Sequence, residues 1–290
     1  MSTDRATDAW VTHRNLLFTV AYEMLGSAAD AEDVLQEVWL RWSRVTDEVH
    51  DPRAYLVRIT TRLALNHLRS ASRRREDYVG PWLPEPLLTT RDVAEDVELA
   101  ESVSTAMLLV LETLAPIERA VFVLREVFDL PYDEIATAVG KSTDAVRQTA
   151  HRARQHVAAC RPRQEVTADE QAAVVERFLA AVAGDDLQSL VDVLAPDVVL
   201  LTDGGGVKQA ALRPILGVDK VLRFLRGVYV SATRAQAVEV NGSPSLRLEI
   251  DGELEAVATF ALTEGRVSAV YIVRNPHKLG GLAAATTLAR

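Results

Sequence analysis

Apolar residues recur three and four positions apart from Trp10 to Trp42, and the recurrence pauses only at Gly26-Ser27. Leu16, Leu17, Val20, Ala21, Met24 and Leu25 make one helical stripe. Val34, Leu35, Val38 and Trp39 make the buried side of a second helix, with Asp30 as its expected cap and Glu32, Asp33, Gln36, Glu37 and Arg41 turned outward. After a loop from Trp42 to Asp51, Pro52 opens a third helix in which Tyr55, Leu56, Ile59, Leu63 and Leu68 repeat at helical spacing. Its opposite side carries Arg58, Arg62, Asn66, Arg69 and Arg73 as one continuous polar stripe. The periodicity stops at Gly80 to Pro86, where three prolines and a glycine in seven residues forbid regular helix. It resumes near Val97, and Pro116 restarts a helix whose inner face is Ile117, Val121, Leu124 and Val127.

Leu130 to His156 reads as two short helices folded about Gly140. Ile135, Ala136 and Val139 give the first an apolar side, and Ala145, Val146 and Ala150 give one to the second, which Ser142 or Thr143 can cap. Arg147, Gln148, His151, Arg152 and Arg154 cover the outer face of the second helix. Small buried residues on two crossed helices, with a basic outer face on the second, describe a helix-turn-helix that enters a DNA major groove.

Beyond Thr167 the pattern changes to two amphipathic helices broken at Gly184 to Asp186, followed by alternating, β-branched runs. The runs cover residues 198–201, 237–240, 246–250, 255–262 and 266–273, with a helix near residues 219–227 between the first two. Asn241-Gly242, Asp251-Gly252 and Glu264-Gly265 separate the later runs as hairpin turns. Helices and then strands predict an α+β domain whose antiparallel meander curves around an apolar pocket, while the tail after Leu279 reads as frayed.

A net charge of −9 conflicts with nucleic-acid binding only until its distribution is read. Thr143 to Arg163 holds five arginines against Asp144, and Arg69 to Arg75 holds four arginines and no acid. Glu76 to Glu101, between them, carries eight acids against Arg91. Fields are screened within about 8–10 Å at physiological salt, so local basic patches function inside an acidic total. A single cysteine, Cys160, allows no internal disulfide, and the six histidines lack metal-ligand spacing, so neither a cofactor nor a metal is expected. No transmembrane run or secretory leader is legible, and a reducing cytoplasm is the expected location.

Two basic helical units joined by an acidic linker resemble the extracytoplasmic-function (ECF) sigma factors of bacteria. DAEDVLQEVWLRW and PRAYLVRITTRLALNHLRSASRRR look like their domain 2, and LAPIERAVFVLREVFDLPYDEIATAVGKSTDAVRQTAHRARQHV looks like their domain 4. WLPEP (Trp82 to Pro86), DGGG (Asp203 to Gly206) and NPHKL (Asn275 to Leu279) look like signatures of the ECF41 subgroup, which carries a fused SnoaL-like domain of the NTF2-like fold. Val207 stands where that subgroup has lysine, with Lys208 following, and His277 stands where it has an acid. The resemblance divides the chain into a domain 2 over residues 1–76, an acidic linker over 77–102, a domain 4 over 103–163 and a SnoaL-like domain over 167–290.

The resemblance implies that Asp33, Gln36 and Glu37 bind the clamp helices of RNA polymerase. It implies −10 recognition by Arg62, Asn66, Arg69, Arg73 and Arg74, with a base pocket in the loop Val45 to His50. It implies −35 recognition by Ser142, Thr143, Arg147, Gln148 and Arg152, with Arg154 on phosphate. Trp82, Leu83 and Pro84 of the linker are then expected to dock on Asp203, Gly204, Gly205, Gly206, Asn275 and Pro276, so that the last domain modulates activity in cis. Two alternatives stand beside this. One is a helix-turn-helix regulator that does not bind polymerase and senses a small molecule in the C-terminal domain. The other is catalysis there by Asp203 or Asp185; against it, the strand region offers no evident histidine–carboxylate pair or close cluster of acids.

Overall fold

The computed structural model describes residues 3–89, 97–160, 167–184, 186–228 and 233–290. They fall into two compact units. Met1–Glu76, Met107–Arg161 and Thr287–Arg290 form the first, and Asp77–Ala106 with Pro162–Thr286 form the second.

In the first unit, α1 (Thr3–Leu25), α2 (Ala28–Trp42) and α3 (Pro52–Glu76) pack on one another around Leu17, Tyr22, Met24, Leu35, Trp42 and Leu56, all essentially inaccessible. The cap of α2 is Ser27 rather than the expected Asp30. Ser27 adopts extended backbone and its Oγ accepts the Asp30 N–H at 3.1 Å, which leaves the Asp30 carboxylate in the first turn, where the helix dipole favours an anion. Trp42, not Trp39, is the buried tryptophan of α2; Trp39 is half-buried against Trp10, with ring centroids 5.4 Å apart.

α4 (Val97–Val103) and α5 (Thr105–Glu112) follow the acidic segment. α6 (Pro116–Phe122) then runs into a single π turn, Val123–Val127, closed by the Phe128 N–H on the Val123 carbonyl at 3.3 Å. α7 (Tyr132–Val139) ends at Gly140, whose φ of +69° is the left-handed cap expected of it. Ser142 caps α8 (Thr143–Cys160) by accepting the Ala145 N–H at 3.3 Å. Ile135, Ala136, Val146, Ala150 and Ala153 are among the buried residues of this helical pair.

The second unit is the predicted α+β arrangement. α9 (Ala168–Ala183) starts in a reciprocal box between Thr167 and Glu170, and α10 (Leu187–Val193) is capped by Asp186. The strands are β1 (Leu194–Asp203), β2 (Ile215–Leu216), β3 (Thr233–Val240), β4 (Ser243–Ile250), β5 (Glu253–Thr263) and β6 (Arg266–Val273), with α11 (Val218–Val228) between β2 and β3. Among the described residues they form one sheet in the order β2-β1-β6-β5-β4-β3. The sheet is not the plain antiparallel meander expected, because β1 lies parallel to β6. Phe178 and Phe260 meet edge-on at 5.1 Å in the core between α9 and the sheet.

The expected frayed tail is also corrected. Leu282 and Leu288 are buried, the Thr286 N–H reaches the Leu88 carbonyl at 2.7 Å, and in the first unit the Ala289 N–H reaches Thr19 Oγ1 at 3.1 Å. Apolar side chains at that spacing give the segment something to bury despite its bland composition. No described helix is long and apolar enough to cross a membrane.

Candidate promoter-binding faces and the linker latch

In the first unit the polar stripe of α3 meets the helix-turn-helix. The Arg62 guanidinium donates to the Thr137 carbonyl at 2.9 Å and the Ala138 carbonyl at 3.3 Å. These carbonyls belong to the last turn of α7, where no further residue of the helix can satisfy them. A cation placed there also faces the negative end of the α7 dipole. Asn66 and Arg69 stay exposed on the same stripe, 3.4 Å from each other. The side chains of Arg73 and Arg74 lie outside the described residues. A cleft lined by Val49, Asp51, Ala54, Tyr55, Arg58, Glu134 and Thr137 opens beside Arg62. It starts at the end of the loop expected to hold a base, but its far wall is α7.

On α8, Thr143 is half-buried, and Ser142, Arg147, Gln148, Arg152 and Arg154 are exposed. Arg147 leans on Asp144 at 3.2 Å, and Arg152 lies 3.8 Å from Glu118. Arg154 is different: Glu126 holds it with two hydrogen bonds of 3.0 and 2.7 Å, which raise its already high pKa. On α2, Asp33 and Gln36 are exposed and Glu37 pairs with Arg41. Leu40, one turn further along this face, is 48% exposed and was missed in the sequence reading, which had no way to tell an outward leucine from a core one.

Arg119, also missed, is the most deeply buried cation of the first unit to be described. It donates to the Leu111 and Met24 carbonyls, each at 2.8 Å, and pairs with Glu112 at 2.7 Å. Burial pushes its guanidinium down to about 9, which still leaves it charged at neutral pH.

In the second unit the linker is laid against the sheet domain around Asp203, at the C-terminal end of β1. Its Oδ1 accepts the Tyr78 hydroxyl at 2.6 Å and the Gly205 N–H at 3.0 Å. Its Oδ2 accepts the Leu83 N–H at 2.9 Å and Lys278 Nζ at 2.8 Å. Lys278 donates again to the Leu83 carbonyl at 2.6 Å and sits over the rings of Tyr78 and Trp82, 4.8 and 4.2 Å from their centroids. Burial first, and then the hydrogen bond to Asp203, push the Tyr78 hydroxyl far up, so it remains a donor. Leu83 and Pro84 are buried and Trp82 is half-buried.

The glycines make this approach possible. A Cβ on Gly205, whose φ is +59°, would lie 2.2 Å from Asn275 Nδ2, and one on Gly204 would lie 2.1 Å from the Lys208 carbonyl. Asn275 caps the short turn Pro276–Lys278 through the His277 N–H and also donates to the Tyr78 hydroxyl at 2.9 Å. Pro276 is exposed, contrary to its expected place in the contact. It starts the turn that aims Lys278, the residue that does the binding. The two departures from the subgroup pattern resolve locally: Lys208 pairs with Glu255 at 2.8 Å, and the His277 side chain points to solvent. Tyr78, Gly205, Leu83 and Lys278 together fill the four acceptor positions of the Asp203 carboxylate. Asp185 lies outside the described residues.

A helix-turn-helix following a basic three-helix unit defines a class, the sigma-70-type initiation factors: the Sigma-70 region 2 pattern matches residues 10–74 and the Sigma-70 region 4 pattern matches residues 104–157. The chain belongs to the extracytoplasmic-function RNA polymerase sigma factors. It is 38% identical to the ECF RNA polymerase sigma factor SigJ of Mycobacterium tuberculosis, over 92% of this chain and 91% of that one. It is 33% identical to the probable ECF RNA polymerase sigma factor SigI of the same species, over 97% of both. The crystal structure of the M. tuberculosis SigJ superposes with a TM-score of 0.78 at 35% identity, covering 95% of this chain and 98% of that one. As a sigma factor, the protein works with core RNA polymerase on promoter DNA.

Proposed function

We propose that region 2 docks on core polymerase through Asp33, Gln36, Glu37 and the outward Leu40, and opens the −10 element with Arg62, Asn66, Arg69, Arg73 and Arg74. Repeated cations beside an asparagine suit phosphate contact joined to a base-edge reader. Region 4 reads the −35 duplex through Ser142, Thr143, Arg147, Gln148 and Arg152. Arg154, held by Glu126, braces α8 instead. The C-terminal domain modulates this activity in cis by holding the linker that separates the two regions, residues 77–102.

The observation that carries the reading is Asp203, a buried carboxylate that accepts from Tyr78 and Leu83 of the linker as well as from Lys278 and Gly205. A charge is buried at that cost only where its partners are fixed. Arg62 adds a second hold, since α7 occupies with two carbonyls the guanidinium that the −10 strand needs. Run-off transcription with core polymerase tests the reading on the full chain, on Asp203→Asn and on a chain ending near Pro162. Both variants should alter output in the same direction; equal output from all three sinks it.

A further inference from the structure

The linker is gripped a second time, at the turn between β3 and β4. There Asn241 is 1% exposed, and its side chain binds the linker at Leu87 and the chain just beyond the linker at Val103. Its Oδ1 accepts the Leu87 N–H at 2.7 Å while its Nδ2 donates to the Val103 carbonyl at 2.8 Å. Its own N–H donates to the Leu87 carbonyl at 2.9 Å. Next to it, the Gly242 N–H donates to Thr89 Oγ1 at 3.0 Å, the Thr89 N–H donates to the Glu239 carbonyl at 3.1 Å, and Leu88 forms an antiparallel bridge with Val240. Leu87 and Val103 flank Asp92, Glu95, Asp96 and Glu98. Fully extended, the chain between them would span roughly 50 Å, yet here both ends sit within hydrogen-bond reach of one amide.

The other hairpin turns of the sheet show that asparagine is not there for the turn alone. Asp251-Gly252 and Glu264-Gly265 have the same pair of positive φ angles, and both are exposed. An acid therefore serves where only the backbone matters. At 241 the side chain must accept from Leu87 and donate to Val103, which an amide does and a carboxylate does not. Gly242 answers to the same contact: a Cβ there would lie 2.7 Å from Ala100 Cα.

We propose that Asn241 is a positioning residue that holds Leu87 and Val103 to the sheet at one point, as a clamp separate from the Asp203 latch. The linker must therefore leave two holds before it can run extended between regions 2 and 4. The proposal rests on the reading that the linker is the element regulated in cis. Its direct test does not depend on that reading.

The test is hydrogen exchange of the full chain, comparing the unaltered protein with Asn241→Asp, Asn241→Gly and Asp203→Asn. Asn241→Asp keeps the acceptor and loses the donor; Asn241→Gly keeps the turn and loses both. Amides 87–89 should exchange about ten- to a hundredfold faster in Asn241→Gly, which loses the acceptor of the Leu87 N–H, with the Leu83 amide and strands β5 and β6 unchanged. Asp203→Asn should free Leu83 and leave 87–89 protected. Unchanged protection at 87–89 in Asn241→Gly overturns the clamp. So does simultaneous release of Leu83, because latch and clamp would then be one contact. Run-off transcription on the same variants separates the two ideas: exchange as expected with output identical in all of them leaves the clamp standing and removes the cis-regulatory reading.

Discussion

Asp203 and Lys278 form a nearly inaccessible ion pair, with side-chain exposures of 0% and 8%. Removing one partner of such a pair strands the other charge, at a cost of about 3–5 kcal/mol. Asp203→Asn should therefore destabilise the second unit strongly, and adding Lys278→Met should return a large part of the loss. A double-mutant cycle on urea midpoints measures this coupling; strict additivity would mean the pair does not act as one. Arg119 poses the same problem in the first unit. Arg119→Ala removes one donor each from Glu112 and from the Leu111 and Met24 carbonyls, an expected loss of about 3–5 kcal/mol, whereas Arg119→Met, which keeps the volume, should cost less. Neither Lys278 nor Arg119 stood out in the sequence. A lone cation in a motif or on a helix reads as solvated until its burial is known.

At the scale of elements, α3, α7 and α8 were legible from periodicity, and so was each of the three β-turns, because turn chemistry is carried by two adjacent residues. The pairing of β1 with β6 was not. It joins strands far apart in sequence, and β2, with two residues, has no pattern to read. Arg154 shows how an element's neighbours redirect a residue. Exposed on α8, it reads as a phosphate contact, but Glu126 on the preceding π turn claims it. Glu126→Gln should return it to DNA. Binding to −35 duplex should tighten, and the slope of log K against log salt should steepen by about 0.9, one phosphate contact; fluorescence anisotropy across a salt series reads both. An unchanged slope means Arg154 faces no phosphate.

The whole molecule divides its chain differently from its sequence. The linker's described residues count with the sheet domain, and the last four residues count with the helical unit. Calorimetry should accordingly resolve two transitions, with Arg119→Ala lowering one and Asp203→Asn lowering the other. A single transition that both variants lower together would mean the units unfold as one. An acidic total with basic patches on α3 and α8 also takes its meaning at this scale, since a polyanion responds to the nearest few charges rather than to the sum.

Sequence alone determined the helices, their basic faces, the proline-stiffened linker and the positions of the hairpins. All of these follow from short-range spacing and from the conformational limits of glycine and proline. It also determined, through motif order, the class of protein. Only the tertiary structure decided who meets whom: Arg62 with the end of α7, Asp203 with Tyr78, Leu83 and Lys278, and Asn241 with Leu87 and Val103. Such pairings depend on how distant segments close on one another, and hydrogen-bonding capacity in a residue name does not say which partner burial will bring to it.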